Sequence, residues 1–233
     1  MLDINLSHYN EMLRYEPLMD ELRALAVIII GREQEDLFNI IKYYSRNFAE
    51  DIKANGRISE TCLNRFKSAM FTITSRLNIT PEMIGLAHED QLYKGSGFWE
   101  MRWNLGQFAD IAEQVQEAGI SHIICAGISG CVVGEYLGLE LKDSGIPVDH
   151  MIFERSNKFP VKGMLPRDFM LEGNKILLIE DAVQEARTLR VMMNTLNGMR
   201  ANIEFSLFAL DIEDNEETRL ALKPIYKIFK FEA

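Results

Sequence analysis

A chain of 233 residues, 47% of them hydrophobic, is long enough to bury a sizeable core as one large domain or as one domain with an extension. The formal net charge of -10 and a pI near 5.0 exclude the overall basic field that duplex recognition draws on, so no nucleic-acid partner is expected. The longest apolar run, Ala24–Ile30 between Arg23 and Arg32, is far short of a bilayer span, and the N-terminus has no basic region followed by an apolar stretch. No membrane association is expected. The cysteines Cys62, Cys125 and Cys131 are odd in number and form no CxxC pair, which predicts reduced, mostly buried thiols and a cytoplasmic protein.

In chain order, the first hundred residues read as helical. The run Ala26–Ile30 fits a strand or a buried helix and is read as helix. From Leu37, apolar residues recur at Ile40, Ile41, Tyr44, Phe48 and Ile52 with a helical period, and Asn55-Gly56 ends that helix. Ser59 is placed to cap a second helix carrying Leu63, Phe66, Met70 and Leu77, and Thr80-Pro81 marks a third start. Lys94–Gly97 is the expected boundary, giving a helical extension over 1–97 and an α/β domain over 98–233. Trp99 and Trp103, with Phe98, are expected to pack the one onto the other.

Beyond the boundary, helix and strand signals alternate, which predicts a mostly parallel sheet flanked by helices. The expected order is a helix over 104–117 closed by Gly119, a buried strand at His122–Ala126, and a helix over 132–141. A strand at 148–153 follows, then a long polar connection over 158–172 with two prolines, and a strand at 175–179. A helix from about 183 to 197, a strand at 203–210, a short acidic helix and a last strand at 225–231 complete the domain. The acids of 211–217 read as a solvated face.

Two strand-to-helix turns carry the candidate chemistry, and in a right-handed parallel sheet both fall at one edge. At Gly127, Ile128, Ser129 and Gly130, small residues suit either a tight turn or a cradle of backbone amides for an anion. Glu180 and Asp181 end an apolar run just before a helix start. They read as acids that cap the helix or that hold ribose hydroxyls or a magnesium ion. Between them, Arg155, Lys158 and Lys162 are either solvated charges or a basic flap over a polyphosphate. Ser129 is not a hydrolase nucleophile elbow, because Cys131 stands where that motif needs glycine. Glycines 127, 130 and 134 do not have the dinucleotide-binding spacing. The histidines at 8, 88, 122 and 150 do not pair at metal-ligand spacing, and only His150 lies late enough in a strand to sit near the site.

The segment Ile176–Val183, an apolar strand with two acids and an apolar pair, resembles the signature of type I phosphoribosyltransferases, with Glu180-Asp181 in the form of orotate-type members. Phe153–Gly163 is similar to the basic strand and flexible loop of that subgroup, Leu171–Lys175 to the turn before the signature strand, and Gly127–Gly130 stands in the place of its pyrophosphate loop. The likeness spans roughly 104–210. It implies transfer of ribose 5-phosphate from 5-phosphoribosyl 1-pyrophosphate (PRPP) to a nitrogenous base, with Mg2+ as cofactor, and a homo-oligomer, commonly a dimer. By this resemblance Glu180 and Asp181 contact the ribose hydroxyls, Asp181 also serves the metal, and the amides of 128–131 hold pyrophosphate with help from Lys158 or Lys162. The helix start at Gln184, Ala186, Arg187 and Thr188 takes the 5′-phosphate, and a small phosphoribosyl or nucleotide ligand is the implied partner.

The second half of the signature departs from the family. Gln184, Glu185, Ala186 and Arg187 replace the Thr/Ser and Gly residues, and only Thr188 keeps a hydroxyl. Glu185 beside a phosphate costs roughly 3 kcal/mol per charge pair at about 5 Å and an effective dielectric near 20. Ala186 for Gly narrows the backbone choices, and Arg187 offers a compensating fork. A second reading follows from this erosion: the same fold as a non-catalytic nucleotide sensor or protein-interaction platform.

Overall fold

The computed structural model describes residues 34–56, 58–76, 78, 105–127, 129–141, 143–156, 159–183 and 186–231. The expectations for Ala26–Ile30, for Thr80-Pro81, for the boundary at Lys94–Gly97 and for Trp99 and Trp103 lie outside these residues. Two helices, α1 (Gln34–Asn55) and α2 (Glu60–Arg76), precede the sheet. Their apolar stripes meet through Tyr44, Phe48 and Phe66, with Tyr44 and Phe66 edge to face at 4.5 Å between ring centroids. Ser59 caps α2 as expected, its Oγ accepting the Cys62 amide at 3.2 Å. No helix among the described residues is long and apolar enough to cross a membrane.

A single turn of 3-10 helix, Leu105–Gln107, leads into α3 (Phe108–Glu117), which buries Phe108, Ile111, Ala112 and Val115. Then come β1 (His122–Ala126), α4 (Ser129–Glu140), β2 (Val148–Ser156), β3 (Phe159–Met164), β4 (Lys175–Val183), α5 (Arg187–Met199), β5 (Glu204–Ile212), α6 (Glu216–Leu222) and β6 (Ile225–Phe229). The six strands form one sheet in the order β3-β2-β1-β4-β5-β6. All neighbours are parallel except the antiparallel pair β2–β3. The α/β class with a mostly parallel sheet is therefore the observed architecture.

Side chains alternate across a strand, so a sheet buried on both sides makes two cores. Ile123, Cys125, Leu177, Ile179 and Phe208 face α1–α4, while Ile124, Ala126, Ile176, Leu178 and Leu207 face α5. At 25 cal/mol per Å2, each such fully buried aliphatic side chain contributes about 1.5–3 kcal/mol, which is why β1 and β4 read as unbroken apolar runs.

Four expectations are corrected. The connection over 158–172 contains β3, with Ile152 opposite Met164 and Glu154 opposite Lys162. Pro160 suggested a loop, but an edge strand tolerates a residue without an N–H. The strand expected at 175–179 continues to Val183, because pairing with β5 persists through Ala182↔Asp211 and Val183↔Ile212. The helix expected over 132–141 starts three residues earlier, at Ser129, and the next helix starts only at Arg187.

Candidate functional site

The strand order reverses between β1 and β4: β2 and β3 lie to one side, β5 and β6 to the other. Open α/β sheets bind ligands at such a reversal, outside the carboxyl ends of the strands. The two turns singled out in the sequence are the exits of these two strands.

At the exit of β1, Gly127 takes φ +53, a left-handed conformation that suits glycine. Its N–H donates to the Met151 carbonyl at 2.8 Å, and its carbonyl accepts the Cys131 thiol. α4 begins immediately, so its first amides, which lack intrahelical partners, open at the sheet edge. Gly130 packs close against β4. A Cβ there would lie 2.9 Å from the Ile179 carbonyl oxygen and 3.4 Å from Glu180 Cα. The first turn of α4 thus lies against the β4 backbone at the start of the acid pair. Ile128 lies outside the described residues, as does the side chain of Ser129.

On β4, Glu180 is half-buried and Asp181 is 6% exposed. Expected at the strand tip, both instead lie inside the strand, two or three residues before its end. As consecutive strand residues they turn to opposite sides of the sheet. Both still act on Cys131: burial pushes its thiol well up, and the charges of Cys125, Glu135, Glu180 and Asp181 add to the shift. The three cysteines are free thiols, as expected, and burial with the nearby Asp51 raises Cys62 to about 11.

The exit of β4 is less regular. Ala186, buried, caps α5 at φ +52, and its carbonyl accepts the Arg190 N–H at 3.0 Å. Arg187 and Thr188 form the first turn, both half-buried. Gln184 and Glu185 lie outside the described residues. Arg155 and Lys162, expected in a loop, lie on the paired antiparallel strands β2 and β3. Ala126 at the end of β1 pairs with Met151, so β2 runs on to Ser156 for five more residues, about 16 Å of extended chain. Arg155 lies on that projecting part of β2, and Lys162 is exposed on β3. Lys158 lies outside the described residues, as does the side chain of Arg155.

Sequence reasoning missed Glu135 and only flagged His150. Glu135 is 3% exposed on α4 and His150 2% exposed on β2, with Oε1 and Nε2 3.0 Å apart. Neither atom has hydrogen-bonding geometry with a partner, and His150 Nδ1 has none either. A buried polar group left in this condition costs about 1–3 kcal/mol. Arg46 of α1 approaches Glu135 Oε2 at 3.4 Å. A lone acid inside the apolar run Cys131–Leu137 was the available signal. At the opposite end of the sheet, His122 accepts the Glu172 N–H on Nδ1 (3.1 Å), which leaves Nε2 to donate to Asp149 (3.0 Å). Burial pushes the Asp149 carboxyl up, but the His122 hydrogen bond and the Lys42 charge outweigh it and hold it below its usual value.

No protein-family model matches the sequence, and no curated protein matches it. Solved structures similar to this chain include phosphoribosyltransferases. Among them is a purine phosphoribosyltransferase from Pyrococcus horikoshii, 18% identical over 57% of this chain and 86% of its own, with a TM-score of 0.41. Another is adenine phosphoribosyltransferase from Saccharomyces cerevisiae, 16% identical over 55% and 79%, also at 0.41. A third is a xanthine-guanine-hypoxanthine phosphoribosyltransferase from Helicobacter pylori, 13% identical over 55% and 80%, at 0.36. All three are purine enzymes, and the orotate-type subgroup finds no support among them. At such identities and scores these are likenesses of shape; the chemistry rests on the residues above.

Hard oxygen donors suit Mg2+, and Glu180 and Asp181 supply two carboxylates at the reversal. No cluster of three or more His, Cys, Asp or Glu able to hold a metal occurs among the described residues. Because Glu180 and Asp181 turn to opposite sides of β4, only one of them can reach a given ion, which fits Mg2+ held by a single protein carboxylate and completed by ligand phosphates and water.

Proposed function

We propose that this protein transfers ribose 5-phosphate from PRPP to a nitrogenous base. The observation that supports this reading is the close approach of Gly130, in the first turn of α4, to the β4 backbone at Ile179 and Glu180, the stretch of strand that carries the acid pair. One ligand with an anionic end and a hydroxyl-bearing ring spans both.

In this reading the amides opening α4 bind the pyrophosphate, their dipole favouring the charge that grows as the C1–oxygen bond breaks. The bond's electron pair leaves with the pyrophosphate, and a ring nitrogen of the base supplies the pair for the new C1–N bond, losing its proton to solvent. Glu180 and Asp181 hold the ribose hydroxyls and steady the positive charge on the sugar. Bound Mg2+ would neutralise pyrophosphate oxygens, with Asp181 as the protein's ligand. Arg187 and Thr188, opening α5, take the 5′-phosphate. Arg155 of β2 and Lys162 of β3 supply positive charge toward the polyphosphate. Catalysis is positioning and electrostatics, with no covalent nucleophile.

Calorimetric titration with PRPP and Mg2+, followed by pyrophosphate release assays with orotate, adenine, guanine and hypoxanthine, tests this directly. Binding is expected in the micromolar to millimolar range, with release reduced by about two powers of ten in Asp181→Asn, the effect of losing one preorganised electrostatic contact. No heat with millimolar PRPP and Mg2+ would end the proposal.

A further inference from the structure

The candidate site depends on where α4 stands. Its opening turn supplies the amides, and Gly130 leaves no slack between it and β4. Gly127, just before it, hangs from the carbonyl of Met151 on β2. The residue next to Met151 is His150, and His150 meets Glu135 from the middle of α4 at 3.0 Å. A polar link therefore lies directly beneath the amide bend, joining the same helix and the same strand.

That link continues into the helical extension. α1 carries Lys42, Arg46 and Lys53, spacings of four and seven residues that place all three on one face. Each meets an acid of the α/β unit: Lys42 with Asp149 at 3.4 Å, Arg46 with Glu135 at 3.4 Å, and Lys53 with Glu140 at 2.9 Å. Lys53 also donates to the Leu139 carbonyl at 3.1 Å. The outer pairs join lysines to half-buried acids near the surface and contribute little. The central one differs because Glu135 is buried, and a core of this kind is commonly at least as stable with an apolar trio in place of Arg, Glu and His. Its neighbours Val132, Val133 and Leu137 are apolar and already pack α4 on the sheet. Retaining an incompletely bonded acid and imidazole among them has no advantage for packing.

We infer that Glu135 is a positioning residue: through His150 and Arg46 it fixes α4 against β2 and α1, and so sets where the Ser129–Cys131 amides stand relative to Glu180 and Asp181. This assignment rests on the phosphoribosyl reading of the same site and deepens it, because it makes the helical extension part of the site's support.

The test is amide hydrogen exchange on the full chain, wild type against Glu135→Gln and Arg46→Gln, alongside PRPP–Mg2+ titration. Glu135→Gln keeps the shape and removes the charge. The amides of Val133–Leu137, the first in α4 with intrahelical acceptors, are expected to exchange about tenfold faster, with Phe205–Ala209 of β5 unchanged, because local opening is independent of the global reaction. Arg46→Gln, at a side chain 42% exposed, is expected to give the same local pattern at about threefold and guards against a misfolded Glu135 variant. The dissociation constant for PRPP should rise about tenfold in Glu135→Gln, and Glu135→Asp should recover part of the loss. Unchanged exchange at Val133–Leu137, or acceleration spread evenly over the sheet, would overturn the assignment. If the wild type binds no PRPP while the exchange pattern appears, the phosphoribosyl reading falls and the positioning role stands.

Discussion

The β1–α4 and β4–α5 junctions flank the same reversal of the sheet and meet the same requirement, a chain leaving a buried strand and turning at once into a helix. They meet it with different residues. At the first, glycine occupies both demanding positions: the positive φ of Gly127 and the close approach of Gly130 to Ile179. The Cys131 thiol then closes the turn on the Gly127 carbonyl. At the second, Ala186 holds φ +52 with no side-chain cap on α5. A left-handed backbone at a residue with a Cβ costs about 1–2 kcal/mol relative to the right-handed form. The first junction is shaped by its sequence, whereas the second is held in shape by its surroundings, chiefly Leu189, Met192, Met193 and Leu196 packed under the sheet.

The sharpest way to break the first junction is Gly130→Ala. Alanine gains up to about 1 kcal/mol of helix propensity, less in a first turn. Against this, its Cβ meets backbone atoms of Ile179 and Glu180 at 2.9 and 3.4 Å, which cannot rotate away. Overpacking of this kind costs about 1–3 kcal/mol, so the clash wins and a net loss of about 1–2 kcal/mol is expected in denaturant unfolding. The amides move off β4 with it, and PRPP affinity should fall at least tenfold, about 1.4 kcal/mol. A variant as stable as the parent would mean that the two elements are not in contact.

The comparison can be sharpened at the far end of the same strands, where a polar lock is independent of the site. Asp149 is ionised and bonded to His122, with a carboxyl held below its usual range. Its folded value lies below the unfolded one. The stabilisation is therefore complete above the unfolded value near 4 and is lost as pH falls through the lower folded value. Asp149→Asn is expected to cost about 1 kcal/mol at pH 7 and to flatten the acid limb of a stability-versus-pH curve, leaving PRPP binding unchanged. An undiminished acid limb would assign that dependence to other carboxylates.

Much of this architecture was legible in the sequence because burial writes a simple code. β1 was placed to the residue, since His122–Ala126 is apolar on both faces and bounded by Gly119 and Gly127. The ends of β4 and α5 were not, because Glu180, Asp181 and Gln184 look like surface residues, and only the pairing of Ala182 and Val183 with β5 keeps the strand going. β3 was missed through Pro160, whose cost depends on an edge position that a single sequence does not reveal. Likewise the acid pair was legible as a pair, but whether one strand would turn its two carboxylates to opposite sides depended on where the strand ended. Glu135 and His150 are 15 residues apart and meet only because α4 returns the chain to β2.

The smallest effect expected is also the most direct comparison of the two junctions: Ala186→Gly makes the second resemble the first. Ala186 is 4% exposed, so the loss of its methyl removes a small buried group while the left-handed penalty disappears. The gain of about 1–2 kcal/mol from relaxed backbone is set against about 0.5–1 kcal/mol of extra chain entropy in the unfolded state. The net is a stabilisation of about 0.5–1 kcal/mol, or a rise of about 1–4 °C in Tm for a chain of this size. If the α5 amides bind a phosphate, the freer turn should also tighten PRPP binding, by a factor of about 2–5. Higher Tm without tighter binding would locate the strain at Ala186 in folding alone and leave the 5′-phosphate to Arg187. Tighter binding with unchanged Tm would mean that the left-handed turn is formed on the ligand's arrival, and that the two junctions differ in preorganisation more than in stability.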